Sequence, residues 1–143
     1  MKILYSKNES ETKKTGKKLG EKCIGGEVFC LSGDLGSGKT ILSQGIAQGL
    51  GIKKNINSPT FIIINIYQIK KNIKEIKKLI HMDAYRLKNT NELENIGFFD
   101  FLKEKESVMI IEWGEKIKKY LPKKHIKINI KSNNQNERKI TIN

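Results

Sequence analysis

The sequence predicts one α/β domain, spanning residues 1–143, that is built around a mixed sheet. Three observations point to this class. The length of 143 residues leaves room for a single hydrophobic core. Strand-like apolar runs alternate with helical patterns in the first part of the chain, which is typical of parallel strands joined by helices. Two alternating strand patterns then follow each other at the C-terminus, and such neighbours pair antiparallel.

The first half of the chain alternates helical and strand patterns. Ser10 or Thr12 is the expected N-cap of the first helix, and the glycines inside that helix lower its intrinsic propensity. A Gly25-Gly26 turn precedes a buried strand, and Gly51 is the expected stop of the second helix. The predicted elements are a helix over 10–22, a strand over 27–32, a glycine-rich loop over 33–40 and a helix over 41–50.

The second half is richer in strands. Ser58-Pro59 breaks the chain before a dense β-branched run, and Leu121-Pro122 ends the last helical segment. We expect a strand over 61–68, a polar turn over 70–74, a hairpin partner over 75–83, a short helix over 91–96, a strand over 107–111, a helical segment over 115–120, and strands over 125–131 and 138–142 joined by a turn over 132–136.

Basic residues dominate the charge, with a formal net charge of +13. Such an excess invites a nucleic-acid interpretation. The chain, however, holds 26 Lys, 23 Ile and 13 Asn but only 2 Arg and 2 Ala. Lys, Ile and Asn have A/T-rich codons, so this composition indicates a bias of the coding sequence. We therefore favour a solvated lysine coat over a recognition surface, since arginine is the usual residue for bidentate phosphate contacts.

Several other classes of protein are disfavoured. No run approaches the roughly 18 apolar residues that a membrane span needs, and the N-terminal apolar run is too short for a signal peptide, so a cytoplasmic protein is expected. Cys23 and Cys30 are the only cysteines, and their spacing does not fit a zinc site, so we expect two free thiols.

The loop over 33–40 reads G-D-L-G-S-G-K-T and matches the phosphate-loop pattern G-x-x-x-x-G-K-[ST]. Its glycines allow successive N–H groups to turn toward one centre, where the positive end of the next helix adds to their field. Lys39 is expected to reach the β- and γ-phosphates, and the Thr40 hydroxyl to bind Mg²⁺. Nucleotide contacts are predicted at Gly33, Asp34, Leu35, Gly36, Ser37, Gly38, Lys39, Thr40 and Ile41.

Two carboxylates and one hydroxyl are candidates for the chemistry. Glu112 follows the apolar run V-M-I-I, as a Walker B residue does, and is expected to hold Mg²⁺ or to polarise the attacking water. Asp83 ends a predicted strand and is expected to orient that water or to act beside the metal. Thr60 is a candidate for sensing the γ-phosphate, although Ser58-Pro59-Thr60 alone is also typical of a strand-entry turn.

The other residues of the segment H-M-D-A-Y-R, residues 81–86, have less specific interpretations. His81 is favoured as a packing or capping histidine, and Tyr85 as a half-buried core aromatic. Arg86 is one of only two arginines in the chain, which suggests a planar bidentate contact that lysine cannot make.

Five motifs in order, G-D-L-G-S-G-K-T, S-P-T-F, H-x-D-x-Y-R, E-L-E-x-I-G and I-E-W, resemble the TsaE (YjeE) family of small P-loop ATPases over about residues 10–142. The resemblance implies a P-loop NTPase fold, a three-layer α/β/α arrangement with a mixed, largely parallel central sheet and an antiparallel C-terminal hairpin. It also implies an ATPase that uses ATP and Mg²⁺ and acts with the TsaB and TsaD proteins. That assembly makes N6-threonylcarbamoyladenosine next to the tRNA anticodon, so the chain would meet tRNA only through the complex.

The same resemblance assigns roles to individual positions. Thr40 and Glu112 match Mg²⁺-binding residues, while Asp83 and Thr60 match residues needed for hydrolysis or nucleotide sensing. Lys39 is also predicted to be one of the catalytic residues. Trp113 matches a tryptophan near the nucleotide site of the family, and the stretches around Glu9–Thr12 and around Glu137-Arg138 match segments near the adenine. Three features depart from the family pattern: Ser37 replaces alanine, Ile41 replaces a hydroxyl residue, and the lysine-rich stretch over 68–78 is long.

Two alternatives stay open at this point. A small-molecule kinase on the same scaffold is compatible with the loop, because a fold does not fix the reaction. A nucleic-acid-binding module with a vestigial ATP site is compatible with the charge of +13. The absence of an evident arginine finger favours an ATPase that is slow when alone.

Overall fold

Seven strands form one sheet in the computed structural model, which describes residues 1–70, 74–133 and 137–143. The strands lie in the order β1-β7-β6-β2-β5-β4-β3. They are β1 (Lys2–Ser6), β2 (Val28–Ser32), β3 (Ile64–Gln68), β4 (Lys78–Asp83), β5 (Ser107–Glu112), β6 (Ile126–Ser132) and β7 (Arg138–Ile142).

The pairing of the strands is parallel in the centre and antiparallel at both edges. β6, β2, β5 and β4 pair in parallel, whereas β1 with β7, β6 with β7, and β3 with β4 pair antiparallel. The predicted mixed sheet with a largely parallel centre is therefore confirmed, as is the antiparallel C-terminal pair.

Helices cover both faces of the sheet. They are α1 (Glu9–Gly20), α2 (Lys39–Gly49), α3 (Thr90–Asn95), α4 (Phe98–Phe101) and a 3₁₀ helix over Gly114–Tyr120. Because strand side chains alternate between faces, Phe29 and Leu31 pack in one core with Leu42 of α2, while Val28 packs in a second core with Leu93 of α3. In the described part of the chain, no helix has the length and apolar character needed to cross a bilayer.

The helices α1 and α2 approach each other closely through glycines. A Cβ atom built at Gly16 would lie 2.3 Å from the Leu42 carbonyl oxygen, and one at Gly45 would lie 2.2 Å from the Lys13 carbonyl oxygen. Gly20 and Gly49 repeat the arrangement one turn later, with main-chain oxygens 2.2 Å from each built Cβ. The glycines that weaken these helices locally are thus what lets them pack backbone to backbone.

Some predicted boundaries are wrong for identifiable reasons. The first helix is capped by Asn8, whose side chain accepts from the Glu11 N–H, and not by Ser10 or Thr12. The strand expected over 61–68 begins at Ile64, because Ile63 is left-handed with a φ of 69°. β1 and α4 were not predicted at all. The turns expected over 70–74 and 132–136 include residues 71–73 and 134–136, which lie outside the described residues.

Candidate functional site

The candidate site lies at the carboxyl ends of the parallel strands. β2 leads into the glycine-rich loop, while β4 ends at Asp83 and β5 at Glu112, which are partners in the β4–β5 register. Ligands of open α/β sheets bind at this edge. A cleft of about 350 Å³ opens here. It is lined by Glu9, Leu35, Gly36, Gly38, Lys39, Thr40, Ile41, Ser58, Thr60, Asp83, Glu112, Trp113 and Arg138.

The loop that precedes α2 needs its glycines. Gly33, Gly36 and Gly38 have φ values of 142°, 75° and 106°, in the region that L side chains rarely adopt. A Cβ atom at Gly33 would lie 2.2 Å from the Ile130 carbonyl oxygen. Gly36 and Gly38 line the cleft directly before the N-terminus of α2, where main-chain N–H groups and the helix dipole favour an anion.

Lys39 spans the loop from the first turn of α2. Its Nζ donates to the carbonyl oxygens of Gly33 and Asp34 at 2.7 and 2.8 Å, and lies 3.9 Å from the centroid of the Trp113 ring. Burial lowers the pKa of the Lys39 ammonium below its usual value, and the charge of Glu112 opposes that shift. The lysine is therefore held at the cleft by oxygen acceptors that a phosphate group can replace.

Glu112 accepts hydrogen bonds from three side chains. Thr40 Oγ1 donates to Oε2 at 3.1 Å, Ser43 Oγ lies 3.4 Å from Oε1, and His81 Nε2 lies 2.7 Å from Oε1. The carboxylate is only 2% exposed. The arrangement puts two oxygen groups suited to Mg²⁺, those of Thr40 and Glu112, side by side at the cleft.

Asp83 organises the loop on the opposite wall of the cleft. Its Oδ2 lies 3.1 Å from the Thr60 hydroxyl and 3.3 Å from the Ser58 hydroxyl, and these two hydroxyls are 2.9 Å apart. Oδ1 accepts from the Tyr85 main-chain N–H at 2.8 Å. The carboxylate is thus fixed on both oxygens and ties the Ser58–Thr60 segment to the end of β4.

A sequence profile of the family described as threonylcarbamoyl adenosine biosynthesis protein TsaE matches residues 6–140. This match covers nearly the whole chain. The chain belongs to the TsaE family.

Individual TsaE proteins agree with the family match. The chain is 38% identical to the tRNA threonylcarbamoyladenosine biosynthesis protein TsaE of Bacillus subtilis, over 94% of this chain and 80% of that protein. It is 33% identical to the protein of the same name from Treponema pallidum, over 96% of each chain. The crystal structure of Bacillus subtilis YdiB superposes with a TM-score of 0.76 at 33% identity, covering 99% of this chain and 83% of that one.

Most of the residues that the motifs and the TsaE resemblance singled out line the cleft. Gly33, Asp34 and Ser37 belong to the loop but do not line the cleft; Asp34 is exposed, and Ser37 is buried beside Gly33. Thr12 lies elsewhere. Its buried hydroxyl is 2.7 Å from Ser6 Oγ and donates to the Asn8 carbonyl oxygen at 3.1 Å, so it is engaged inside the fold.

Arg138 and Glu9 form one end of the cleft. The Arg138 side chain is 5% exposed and its Nη2 lies 3.6 Å from Glu9 Oε1. A Cβ atom at Gly38 would come within 2.7 Å of Arg138 Nε, so the arginine lies directly against the phosphate loop. The TsaE resemblance pointed to the segment around Glu9, but nothing in the sequence specified this pairing.

Two neighbours of Asp83 lie outside the core. Tyr85 is 50% exposed, so it is half-buried as expected but is not part of the core, and its ring centroid lies 5.0 Å from that of Trp113. Arg86 makes no bidentate contact among the described residues; its guanidinium lies 4.8 Å over the Phe61 ring. Both side chains follow the end of β4, where the chain turns outward, so the alternation that buries residues within the strand no longer applies.

Sequence reasoning paired Thr40 with Glu112 but missed the other two side chains around this carboxylate, Ser43 and His81. Ser43 follows Lys39 by one helical turn, which brings its hydroxyl to the same strand end. His81 precedes Asp83 by two residues and so shares its face of β4. Both spacings are visible in the sequence, but the β4–β5 register is needed to make them meaningful.

Proposed function

We propose that this chain is a Mg²⁺-dependent ATPase that serves as an accessory protein in forming N6-threonylcarbamoyladenosine on tRNA. The observation that carries the proposal is the convergence of Lys39, Thr40, Thr60, Asp83 and Glu112 on one cleft at the N-terminus of α2. These residues come from four separate segments of the chain. Membership of the TsaE family supports the pathway, and the cleft supports the nucleotide.

The donor set of the cleft fits Mg²⁺ held together with a nucleotide. Among the described residues, no three His, Cys, Asp or Glu side chains lie close enough to form a metal cage. Mg²⁺ commonly takes one or two protein oxygens and completes its shell with water and phosphate oxygens. Thr40 and Glu112, 3.1 Å apart, would supply those protein oxygens. When bound, the ion would neutralise charge that develops on the β- and γ-phosphates.

The chain's own residues divide the remaining work. Lys39 would exchange its bonds to the Gly33 and Asp34 carbonyl oxygens for phosphate oxygens. Asp83 would accept a hydrogen bond from the attacking water and so orient it. Thr60 now lies against Asp83, and turning its hydroxyl toward the terminal phosphate would link the Ser58–Thr60 segment to the bound triphosphate.

The mouth of the cleft supports docking of partner proteins. Leu35 in the phosphate loop is 90% exposed, Phe61 beside Thr60 is 83% exposed, and Tyr85 against Trp113 is 50% exposed. Exposed apolar side chains that adjoin a functional site are typical of interaction surfaces. We propose TsaB and TsaD as the partners, contact with tRNA through their complex, and a cytoplasmic location for this assembly.

The proposal is tested by comparing Lys39→Ala with Lys53→Ala. Both remove one positive charge, but Lys53 is exposed and does not line the cleft. Isothermal calorimetry with ATP and Mg²⁺ should show affinity about 10- to 100-fold weaker in Lys39→Ala, as expected for lost charge-assisted hydrogen bonds. Lys53→Ala should bind as the unsubstituted protein does.

Hydrolysis and tRNA modification should follow the same pattern when TsaB, TsaD and tRNA are added. Unchanged hydrolysis and modification in Lys39→Ala would refute the proposal. Phosphate transfer from ATP to a small metabolite would favour a kinase instead. Tight tRNA binding by the isolated protein, indifferent to ATP, would favour a nucleic-acid-binding module.

A further inference from the structure

A histidine lies beneath the Glu112 carboxylate, outside the cleft itself. His81 is 0% exposed, and its Nε2 lies 2.7 Å from Glu112 Oε1. The ring is on the face of β4 that also carries Asp83, and the parallel register of β4 with β5 brings it beside the last residue of β5. It does not line the cleft, so it is not placed to touch a nucleotide there.

The two oxygens of Glu112 have different surroundings. Oε1 lies at 2.7 Å from His81 Nε2 and 3.4 Å from Ser43 Oγ, both of which are buried. Oε2 accepts from Thr40 Oγ1 at 3.1 Å, on the side where Thr40 and Glu112 line the cleft. One oxygen is therefore fixed within the protein, and this leaves the other turned toward the proposed metal position.

The direction of the histidine hydrogen bond follows from the chemistry of its partner. A carboxylate oxygen only accepts, so the proton lies on Nε2. Nδ1 has no hydrogen-bond partner among the described residues, which leaves the bond to Glu112 as the one polar contact shown for this buried ring. A buried imidazole with one short hydrogen bond is oriented by its partner and, in turn, orients that partner.

We propose that His81 is a positioning residue for Glu112. Its Nε2–H holds Oε1 and so keeps Oε2 directed at Thr40 and the Mg²⁺ position. The terminal torsion of a glutamate is broad and is not fixed by rotamer preference alone. Without the histidine, the carboxylate would be free to rotate away from Thr40. This inference rests on the proposed Mg²⁺-dependent nucleotide site and assigns a further residue to it.

The test uses three substitutions that differ in where they place a donor. The amide nitrogen of His81→Gln lies the same number of bonds from Cα as Nε2, whereas that of His81→Asn corresponds to Nδ1 and falls short of Glu112. His81→Leu fills the space without any donor. A positioning role predicts that glutamine rescues and that asparagine and leucine do not. Asparagine is one methylene shorter than glutamine, so a role in packing alone separates these two variants in thermal stability but not in the enhancement of binding by Mg²⁺.

The readout is the binding of ADP with and without Mg²⁺, measured by calorimetry, with thermal unfolding recorded for each protein. Binding in EDTA should be unchanged in all three variants, because His81 does not line the cleft. The enhancement by Mg²⁺ should fall by roughly 10- to 100-fold in His81→Asn and His81→Leu, the usual effect of losing a partner of a metal ligand. In His81→Gln, the enhancement by Mg²⁺ should stay within about threefold of that in the unsubstituted protein, because glutamine keeps a hydrogen-bond donor for Glu112.

The outcomes separate this proposal from the one on which it rests. If the unsubstituted protein binds ADP no better with Mg²⁺, the proposed metal-dependent site fails first. If that enhancement is present and His81→Asn retains it in full, the positioning role is refuted while the ATPase proposal stands. Equal losses in His81→Gln and His81→Asn would also refute it, since a correctly placed donor would then make no difference. Should His81→Leu not fold, the comparison of glutamine with asparagine decides alone.

Discussion

The close contact between α1 and α2 makes Gly45→Ala a sharp test of the fold around the site. The new Cβ would lie 2.2 Å from the Lys13 carbonyl oxygen and 2.9 Å from Gly16 Cα. Ordinary contact begins at 3.4 Å, so the carbonyl is about 1.2 Å too close (3.4 − 2.2). Because the obstacle is main chain on a packed helix, no side-chain rotation relieves it, and the helices must separate.

The expected cost follows from two opposing effects. Overpacking a rigid contact costs about 1–3 kcal/mol, and the backbone obstacle puts this case at the upper end. Replacing glycine by alanine inside a helix returns up to about 1 kcal/mol. The net loss in free energy of unfolding should be about 2 kcal/mol, which corresponds to a fall in Tm of roughly 6–10 °C for a chain of this length.

Urea unfolding followed by circular dichroism measures this loss, with Lys14→Ala as the control. Lys14 is exposed on α1, so its replacement should leave stability within about 0.5 kcal/mol. Gly45→Ala should lower the midpoint at an unchanged m-value. Because α2 carries Lys39 and Thr40 in its first turn, binding of ADP with Mg²⁺ should weaken as well. Stability equal to the unsubstituted protein would show that the helices do not meet at these glycines.

Three further predictions concern the cleft and the cysteines. Gly38→Ala should weaken ATP binding at least about tenfold in calorimetry, because Gly38 has a φ of 106° and the new Cβ would meet Arg138 Nε at 2.7 Å. Gly26→Ala is its control, with a φ of 85° but no atom closer than 3.9 Å, and a comparable loss of binding there would contradict the explanation. Asp83→Asn should slow ATP hydrolysis about 100-fold or more, because it removes the group that orients water. Its affinity for ATP should stay within about threefold of that of the unsubstituted protein. A hydrolysis rate near that of the unsubstituted protein would exclude this role. Burial raises the pKa of Cys23 to about 12 and that of Cys30 to about 11. Since the thiolate is the nucleophile, iodoacetamide at pH 8 should modify neither cysteine in the folded protein but both in urea. Mass spectrometry measures the modification, and equal rates in the two conditions would contradict the burial of these thiols.

The phosphate loop and the central strands were predictable because their signals are local. Glycines at fixed spacing determine the loop over 33–40, and its match to G-x-x-x-x-G-K-[ST] is visible in one window of sequence. β2 and β5 are continuous apolar runs, as strands buried on both faces are. Parallel pairing then brings the carboxyl ends of neighbouring strands to one edge of the sheet. The parallel pairing of β4 with β5 places Asp83 and Glu112 together at that edge.

The features that were missed depend on partners distant in sequence. β1 exposes Ile3 and Tyr5 and forms only because β7 offers it an edge, so no local pattern marks it. Gly16 and Gly20 counted against a helix when α1 was considered alone. Their purpose becomes clear only when α2 is placed against them. The contact of His81 with Glu112 likewise needs a register between two strands.

Burial distinguishes a lysine at the candidate site from the many lysines that reflect only the composition of the chain. The chain holds 26 Lys, and a coding bias toward lysine explains exposed ones, because a solvated ammonium costs little at any surface position. It does not explain Lys39, the only lysine among the described residues that is buried. Removing an ammonium from water is costly unless its hydrogen bonds are satisfied, and this one has carbonyl oxygens and an aromatic ring around it. The net charge of +13 therefore says little about partners. The one buried lysine of the described residues, in contrast, supports the anion site proposed for this cleft.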